Sequence, residues 1–105
     1  MIERIPGIYE ITLYDRINTV NEIRVFLIPG KKGERSLLID AGFQNDESRR
    51  TLLGSLTEAG VSCENLDVFL THKHHDHTGL ARTLMEMGAR IFMNPEENRH
   101  PYDCL

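Results

Sequence analysis

Hydrophobic and polar positions alternate along the first third of the chain and recur at helical spacing after it. Residues 8–14 place Ile11 and Leu13 on one face and Glu10 on the other, which predicts a half-buried strand. Residues 22–28 predict a second strand, and its last four residues are apolar on both faces. Because a strand of that composition is typical of the interior of a sheet, we expect the second strand to be central.

A helix is predicted between residues 45 and 60, after a short strand at 36–39. Either Asn45 or Asp46 can accept the first free backbone N–H groups as N-cap, and Gly60 is suited to end the helix. The apolar stripe of this helix consists of Leu52, Leu53, Leu56 and Ala59.

The rest of the chain predicts a strand at 66–70, a second helix from Leu80 to Met87 that Gly88 ends, and a strand at 90–93. The opening strands can pair as a meander, and the later units can form a βαβ layer. The pattern therefore predicts an α/β (α+β) fold with a mixed β-sheet and flanking helices.

The last twelve residues begin with the pattern of a third helix start. Asn94 is a suitable N-cap, Pro95 suits the first helical position and Glu97 the third, but Pro101 would interrupt the helix at once. An element that begins so near Leu105 indicates a truncated or divided domain, so residues 1–105 are interpreted as one partial domain.

Length and charge restrict the possible partners. A chain of 105 residues holds at most one domain, and its net charge of −4 without a basic run argues against a nucleic-acid partner. Cys63 and Cys104 lack metal-ligand spacing and are too few for a disulfide framework. Residues 1–7 carry no apolar signal core, and no apolar run is long enough to cross a bilayer. We therefore expect a cytoplasmic protein without a membrane partner.

Four of the five histidines lie within six consecutive positions, together with an aspartate. Imidazole and carboxylate are the side chains that bind Zn, Fe or Mn at neutral pH. His72 and His74 are two residues apart, so in an extended segment both point the same way. Asp76 and His77 follow where the chain turns towards the next helix and can converge there. The spacing predicts a metal site, with His75 as an exposed spacer and Lys73 on the other side.

The segment from Thr71 to Gly79, preceded by apolar strand residues, resembles the signature of the metallo-β-lactamase superfamily. The run from Leu37 to Gly42, which ends Asp40-Ala41-Gly42, resembles the strand and Asp-x-Gly element that the family carries upstream. The resemblance covers nearly the whole chain but only the N-terminal half of the family's domain. It implies the N-terminal half of an αββα sandwich, with the site at one edge of two facing sheets.

By that resemblance, His72 and His74 would ligate a first metal, and Asp76 and His77 a second. Asp40 would support the site. The remaining ligands of the family come from the C-terminal half, and His100 follows the motif too soon to be one of them. Zn, as one or two ions, is the expected cofactor, with Fe or Mn also compatible with His and Asp ligands. Asp76 would be the catalytic residue, orienting water and accepting its proton.

The leading hypothesis is a metal-dependent hydrolase acting on a small ester, thioester, lactone or amide. One alternative is an iron-dependent oxidoreductase on the same fold. Another is a non-catalytic metal-binding or assembly half-domain that needs a partner chain. Because half of a sandwich exposes an apolar sheet face, we also expect a homo-oligomer or a complementing C-terminal half.

Overall fold

The computed structural model of the protein describes residues 1–15, 21–42, 45–71 and 80–93, and these ranges contain six β-strands and two α-helices. The strands are β1 (Ile2–Ile5), β2 (Ile8–Asp15), β3 (Asn21–Ile28), β4 (Ser36–Ile39), β5 (Leu66–Leu70) and β6 (Arg90–Met93). The helices are α1 (Asp46–Glu58) and α2 (Ala81–Glu86), and a single 3₁₀ turn at Cys63–Asn65 precedes β5.

The described strands form one sheet in the order β1-β2-β3-β4-β5-β6, the same order as in the sequence. Neighbours from β1 to β4 pair antiparallel, and β4, β5 and β6 pair in parallel. The antiparallel part is the predicted meander, and the parallel part consists of two βαβ crossovers through α1 and α2. The mixed sheet confirms the predicted α+β class, and β3 is an interior strand as its two apolar faces predicted.

Both helices end where glycines permit a left-handed backbone. Asn45 caps α1, because its side chain accepts a hydrogen bond from the Ser48 N–H at 2.8 Å. Gly60 follows the last turn at φ 73°, and Val61 N–H donates back to Leu56 O at 2.8 Å. Gly88 ends α2 in the same way, at φ 108°. Glycine meets no steric penalty in that region, so these positions stop the helices where the sequence predicted.

The core lies between the sheet and the two helices. Side chains of alternate residues on β2 to β5 point into it and meet Leu52 and Leu56 of α1 and Leu84 of α2. The strand residues of this cluster are Ile11, Leu13, Ile23, Val25, Leu27, Leu38, Leu66, Val68 and Leu70, each at most 7% exposed. The opposite face of the sheet carries the other half of the alternation, and neither described helix packs on it.

Two details of the first strands differ from the prediction. The strand β1 was not expected, because its four residues are all exposed and so carry no burial pattern. It pairs with β2 through a tight turn at Pro6 and Gly7, where Gly7 has φ 86°. Glu10 was placed on the polar face of a half-buried strand, yet it is only 7% exposed. Arg4 and Arg24 lie against its carboxylate and cover it.

Two sequence predictions fall outside the described ranges: the motif at 72–79 and the helix start at 94–97. Among the described helices, none is long and apolar enough to cross a membrane.

Candidate metal centre

The parallel strands β4 and β5 end at the same edge of the sheet, next to each other. Ile39 is paired with Phe69, so the residues that follow the two strands, Asp40 and Thr71, lie side by side. The carboxyl ends of parallel strands commonly carry reactive groups in α/β proteins. Thr71 is also the residue directly before the His- and Asp-rich motif.

Asp40 fastens the end of β5 to the end of β4. Its carboxylate accepts hydrogen bonds from the Thr71 N–H at 2.9 Å and from the Thr71 hydroxyl, whose Oγ1 is 2.9 Å from both carboxylate oxygens. The Asp40 N–H donates to Phe69 O at 2.9 Å. Asp40 is 8% exposed and has φ 66°, a left-handed conformation that Asp tolerates better than most residues. The buried carboxylate therefore holds Thr71, the last residue before the motif, beside the end of β4.

The segment from Asp40 to Gly42 also contacts Leu80, the residue that follows the motif. Gly42 O accepts a hydrogen bond from the Leu80 N–H at 3.4 Å, and Leu80 is the residue before α2. Gly42 is buried at φ 84°, and a Cβ at this position would overlap Leu13 Cδ1. Only glycine combines that conformation with such a close approach. Both flanks of residues 72–79, Thr71 and Leu80, are thus tied to residues 40–42.

The start of α1 is held against the sheet close to this segment. Asn45 Nδ2 and the Ser48 hydroxyl both donate to Tyr14 O, at 3.2 and 2.9 Å. Ser48 is fully buried, so its hydroxyl would cost free energy without this acceptor. The helix start, the Asp40–Gly42 segment and the two flanks of the motif form one connected framework.

The predicted ligands His72, His74, Asp76 and His77 lie outside the described residues, as does His75. Within the described ranges, no group of three or more His, Cys, Asp or Glu side chains could hold a metal. Among the residues singled out from sequence, the structure therefore places Asp40 and Thr71. The donor chemistry of the motif, three imidazoles and a carboxylate, fits Zn, Fe or Mn.

A polar cleft of about 340 Å³ lies between the first turn of α1 and α2, beside Leu80. Its charged lining consists of Asp46, Arg49 and Glu86, with Asn45 and Thr83 between them. Sequence reasoning did not single out this cleft, because its walls come from two helices that are distant in the sequence. The cleft therefore places acidic and basic side chains next to Leu80, the residue that follows the motif.

The opposite edge of the parallel strands carries a different charged cluster. Arg35 Nε donates to Asp67 Oδ1 at 2.7 Å, and Arg90 Nε and an Arg90 terminal nitrogen donate to the two carboxylate oxygens at 2.8 and 2.9 Å. The hydrogen bond from Arg90 is the largest cause that lowers the pKa of Asp67 to about 2, and the hydrogen bond from Arg35 lowers this pKa further. Burial raises the pKa of the Cys63 thiol. These groups lie at the amino ends of β4, β5 and β6, whereas Thr71 follows the carboxyl end of β5.

The described residues form an α+β domain with a mixed sheet and two helices on one of its faces, and in the sequence the His- and Asp-rich motif directly follows the parallel strand β5. A family model described as the Metallo-beta-lactamase superfamily matches residues 20–101. The chain belongs to the metallo-beta-lactamase superfamily.

One curated relative is the "Probable metallo-hydrolase YqjP" of Bacillus subtilis (strain 168). It is 39% identical to this chain over 62 residues, which are 58% of this chain and 18% of that protein. The matched residues therefore cover less than a fifth of the length of this relative.

Solved structures share the fold over most of the chain. The metallo-beta-lactamase family protein TTHA1429 from Thermus thermophilus superposes with a TM-score of 0.75 at 26% identity, covering 94% of this chain and 35% of that one. The DIM-1 metallo-beta-lactamase superposes with a TM-score of 0.73 at 19% identity, covering 93% of this chain and 43% of that one. The chain thus corresponds to less than half of each of these two solved structures.

Proposed function

We propose that this chain provides the N-terminal half of a metal-dependent hydrolase site, with His72, His74, Asp76 and His77 as metal ligands. The observation that carries the proposal is the anchoring of the motif's two flanks. Thr71 is held by the buried Asp40 carboxylate, and Leu80 is held by Gly42 O. A segment whose flanking residues are both held in place loses less conformational entropy when its side chains bind a metal.

His72 and His74 would bind one metal, and Asp76 and His77 a second, with Zn as the expected ion and Fe or Mn as alternatives. A divalent metal held there would supply an activated water at neutral pH and would polarise a scissile carbonyl. Asp76 would orient the attacking water and accept its proton, a contribution of roughly 10²–10⁴-fold in rate.

The proposed substrate class is a small ester, thioester, lactone or amide. The printed description of the Bacillus subtilis relative, a probable metallo-hydrolase, supports hydrolysis in general. The DIM-1 metallo-beta-lactamase shares the fold at 19% identity, which gives no reason to prefer a β-lactam. The proposed partner is therefore a small-molecule substrate, in a protein without a nucleic-acid or membrane ligand.

A second candidate is a metal-binding half-domain that is inactive alone and needs a complementing C-terminal half. The observation that favours it is the number of ligands that the motif offers to each metal. A catalytic zinc commonly takes three protein ligands, and the motif assigns two to each metal. Further ligands would then have to come from another polypeptide segment.

The test is the metal content of the 105-residue chain, measured by plasma mass spectrometry after purification without added metal and dialysis. His74→Ala removes a proposed ligand, and His75→Ala is the matched control because the proposal makes His75 a spacer. We expect about one or more equivalents of metal in the wild type and in His75→Ala, and loss of metal in His74→Ala. Equal metal contents in the two variants would contradict the ligand assignment.

Hydrolysis of a panel of esters, thioesters, lactones and amides by the metal-loaded chain separates the two candidates. Turnover that disappears in His74→Ala supports the hydrolase. Metal binding without turnover, followed by hydrolysis when a C-terminal half is added in trans, supports the assembly half-domain. Bound iron with O₂ consumption and no hydrolysis would overturn both in favour of an oxidoreductase.

A further inference from the structure

One carbonyl oxygen at the end of β2 accepts hydrogen bonds from two side chains at the start of α1. Asn45 Nδ2 and the Ser48 hydroxyl donate to Tyr14 O at 3.2 and 2.9 Å. We call these two hydrogen bonds the helix tie. They join residues 31 and 34 positions apart in the sequence. The helix tie therefore fixes the start of α1 to the end of β2.

The helix tie is separate from the cap of α1. Asn45 Oδ1 accepts the Ser48 N–H at 2.8 Å, which is the normal role of an N-cap, whereas Asn45 Nδ2 donates to the sheet. Ser48 is fully buried, and serine is a poorer helix former than alanine. Helix stability therefore does not explain a buried serine in the first turn, but the contact of its hydroxyl with Tyr14 does.

The end of β2 also contacts Gly42. A Cβ on Gly42 would overlap Leu13 Cδ1, and Leu13 is the residue before Tyr14. Asn45 follows Gly42 by three positions, so the backbone separates their Cα atoms by at most about 11 Å. Gly42 and the start of α1 are therefore held by adjacent residues of one strand, and a displacement of the helix start moves Gly42 as well.

Gly42 in turn holds the residue that follows the motif. Gly42 O accepts the Leu80 N–H at 3.4 Å, which is longer than the roughly 2.7–3.2 Å of most N–H···O bonds. A hydrogen bond of this length is lost after a small displacement of Gly42. The other flank differs, because Thr71 is bonded to Asp40 at 2.9 Å by its N–H and its hydroxyl. The helix tie therefore acts on one flank of the motif and not on the other.

We propose that Asn45 and Ser48 are positioning residues of the metal centre, which act through Gly42 on Leu80 and so on the C-terminal part of the motif. The inference rests on the proposed function and assigns no metal contact to either side chain. When the residue after the motif is held in place, the motif loses less conformational entropy on binding a metal.

The place of Leu80 in the chain predicts which of the two proposed metals depends on the helix tie. Asp76 and His77 lie four and three positions before Leu80, whereas His72 directly follows Thr71. The helix tie therefore strengthens binding of the second metal, assigned to Asp76 and His77, and leaves the first unchanged.

Zinc binding by the 105-residue chain tests the inference, measured by competition for Zn²⁺ with a chromophoric chelator. Ser48→Ala removes one donor of the helix tie, and Asn45→Asp removes the other while keeping an N-cap acceptor. We expect the wild type to bind two equivalents. Each variant should bind the second about five- to tenfold more weakly and the first within about twofold of the wild type, somewhat less than the loss of a direct partner of a metal ligand. His77→Ala is the reference for loss of the second metal.

Two matched controls separate positioning from fold stability and from charge. Ser55→Ala removes another buried serine of α1, two turns further along the helix, and Asn65→Asp makes the same charge change before the amino end of β5. Both should bind zinc like the wild type. The new carboxylate in Asn45→Asp attracts cations, so its charge cannot explain weaker binding of the second metal.

Two equivalents bound equally well by the wild type and both variants would overturn the inference and leave the proposed function standing. Equal weakening of both metals, or weakening shared by Ser55→Ala, would also overturn it, since general loss of stability would then be the cause. A wild type with a single equivalent would refute it together with the second metal, and one without zinc would refute the ligand assignment itself. If circular dichroism shows that Ser48→Ala is unfolded, Asn45→Asp decides alone, because it keeps the cap.

Discussion

Replacing Asp40 by alanine removes the link between the end of β4 and the start of the motif. The wild-type carboxylate accepts the Thr71 N–H and the Thr71 hydroxyl at 2.9 Å while 8% exposed. Alanine can accept neither bond, and the Thr71 N–H is left facing a methyl group. Alanine must also adopt φ 66°, which Asp tolerates better.

The two effects can be added approximately. Hydrogen bonds to a charged group are worth about 1.5–3 kcal/mol each. A left-handed backbone conformation costs a residue other than glycine about 1–2 kcal/mol. The wild-type Asp40 already bears part of this cost, so only the remainder is added by alanine. Because both hydrogen bonds share one carboxylate and one threonine, they are less than additive, and we expect Asp40→Ala to lower the free energy of unfolding by about 3–5 kcal/mol. That is a large fraction of the roughly 5–15 kcal/mol that stabilises a typical domain.

Urea unfolding followed by circular dichroism measures this loss, and two further variants separate its causes. With a slope near ~2 kcal/mol per molar, the alanine variant should unfold at roughly 2 M less urea than the wild type. Asp40→Gly also loses both hydrogen bonds but adopts φ 66° freely, so it should be about 1 kcal/mol more stable than the alanine variant. Asp40→Asn keeps an acceptor and the tolerance of positive φ, and should lose only about 1 kcal/mol.

The reasoning is refuted if the alanine variant unfolds within about 0.5 M urea of the wild type. A glycine variant less stable than the alanine variant would refute the conformational part alone. If metal is retained by the wild type, the alanine variant should also bind it more weakly, because Thr71 would no longer be fixed before His72.

Two further predictions concern a buried glycine and a charged cluster. Gly42→Ala should lower the free energy of unfolding by about 2–5 kcal/mol, measured by urea unfolding. The new Cβ would overlap the fully buried Leu13, and alanine would have to adopt the φ of 84° that Gly42 has. Gly54→Ala in α1 has open space around it and should stabilise by about 0.5–1 kcal/mol; equal effects of the two substitutions would contradict this account. The pKa of Asp67, about 2 in the folded chain against an ordinary 3.8, means that its ion pairs stabilise the fold fully above about pH 4 and are lost as the pH falls towards 2. Asp67→Asn should therefore flatten the fall of the urea midpoint between about pH 4 and 2, and the exposed Glu58→Gln should leave that slope unchanged.

Local patterns were sufficient to predict most secondary structure of the described ranges. The strands at 36–39, 66–70 and 90–93 occur where predicted, Gly60 ends α1 as expected, and Asn45 is the one of the two candidate N-caps, Asn45 and Asp46, that caps it. Each of these features depends on residues close together in the sequence, so periodicity and capping chemistry are enough to identify them. The strand β1 was missed because an exposed edge strand has no burial pattern, although Pro6-Gly7 before residues 8–14 was a usable turn signal.

The sequence predicted which residue types form the candidate site, but not the hydrogen bonds that hold the residues flanking the motif. His72, His74, Asp76 and His77 stand out by spacing alone, and their assignment as ligands stays a prediction. The sequence also singled out Asp40, through the Asp-x-Gly element, without indicating its partner. The hydrogen bonds from Thr71 to Asp40 join residues 31 positions apart, and the contact between Gly42 and Leu80 spans a still longer stretch of chain.

The amino-acid sequence by itself predicted most of the elements and the apolar face of each helix, and it contains a run of side chains whose chemistry suits a metal. Those properties follow from local conformational preference and from side-chain chemistry. Only the tertiary structure decided that Arg4 and Arg24 cover Glu10, that Arg35 and Arg90 share Asp67, and that Asp40 fastens Thr71. Such contacts depend on strand register and on the parallel pairing of β4 with β5, which bring distant residues together and leave no periodic trace in the chain.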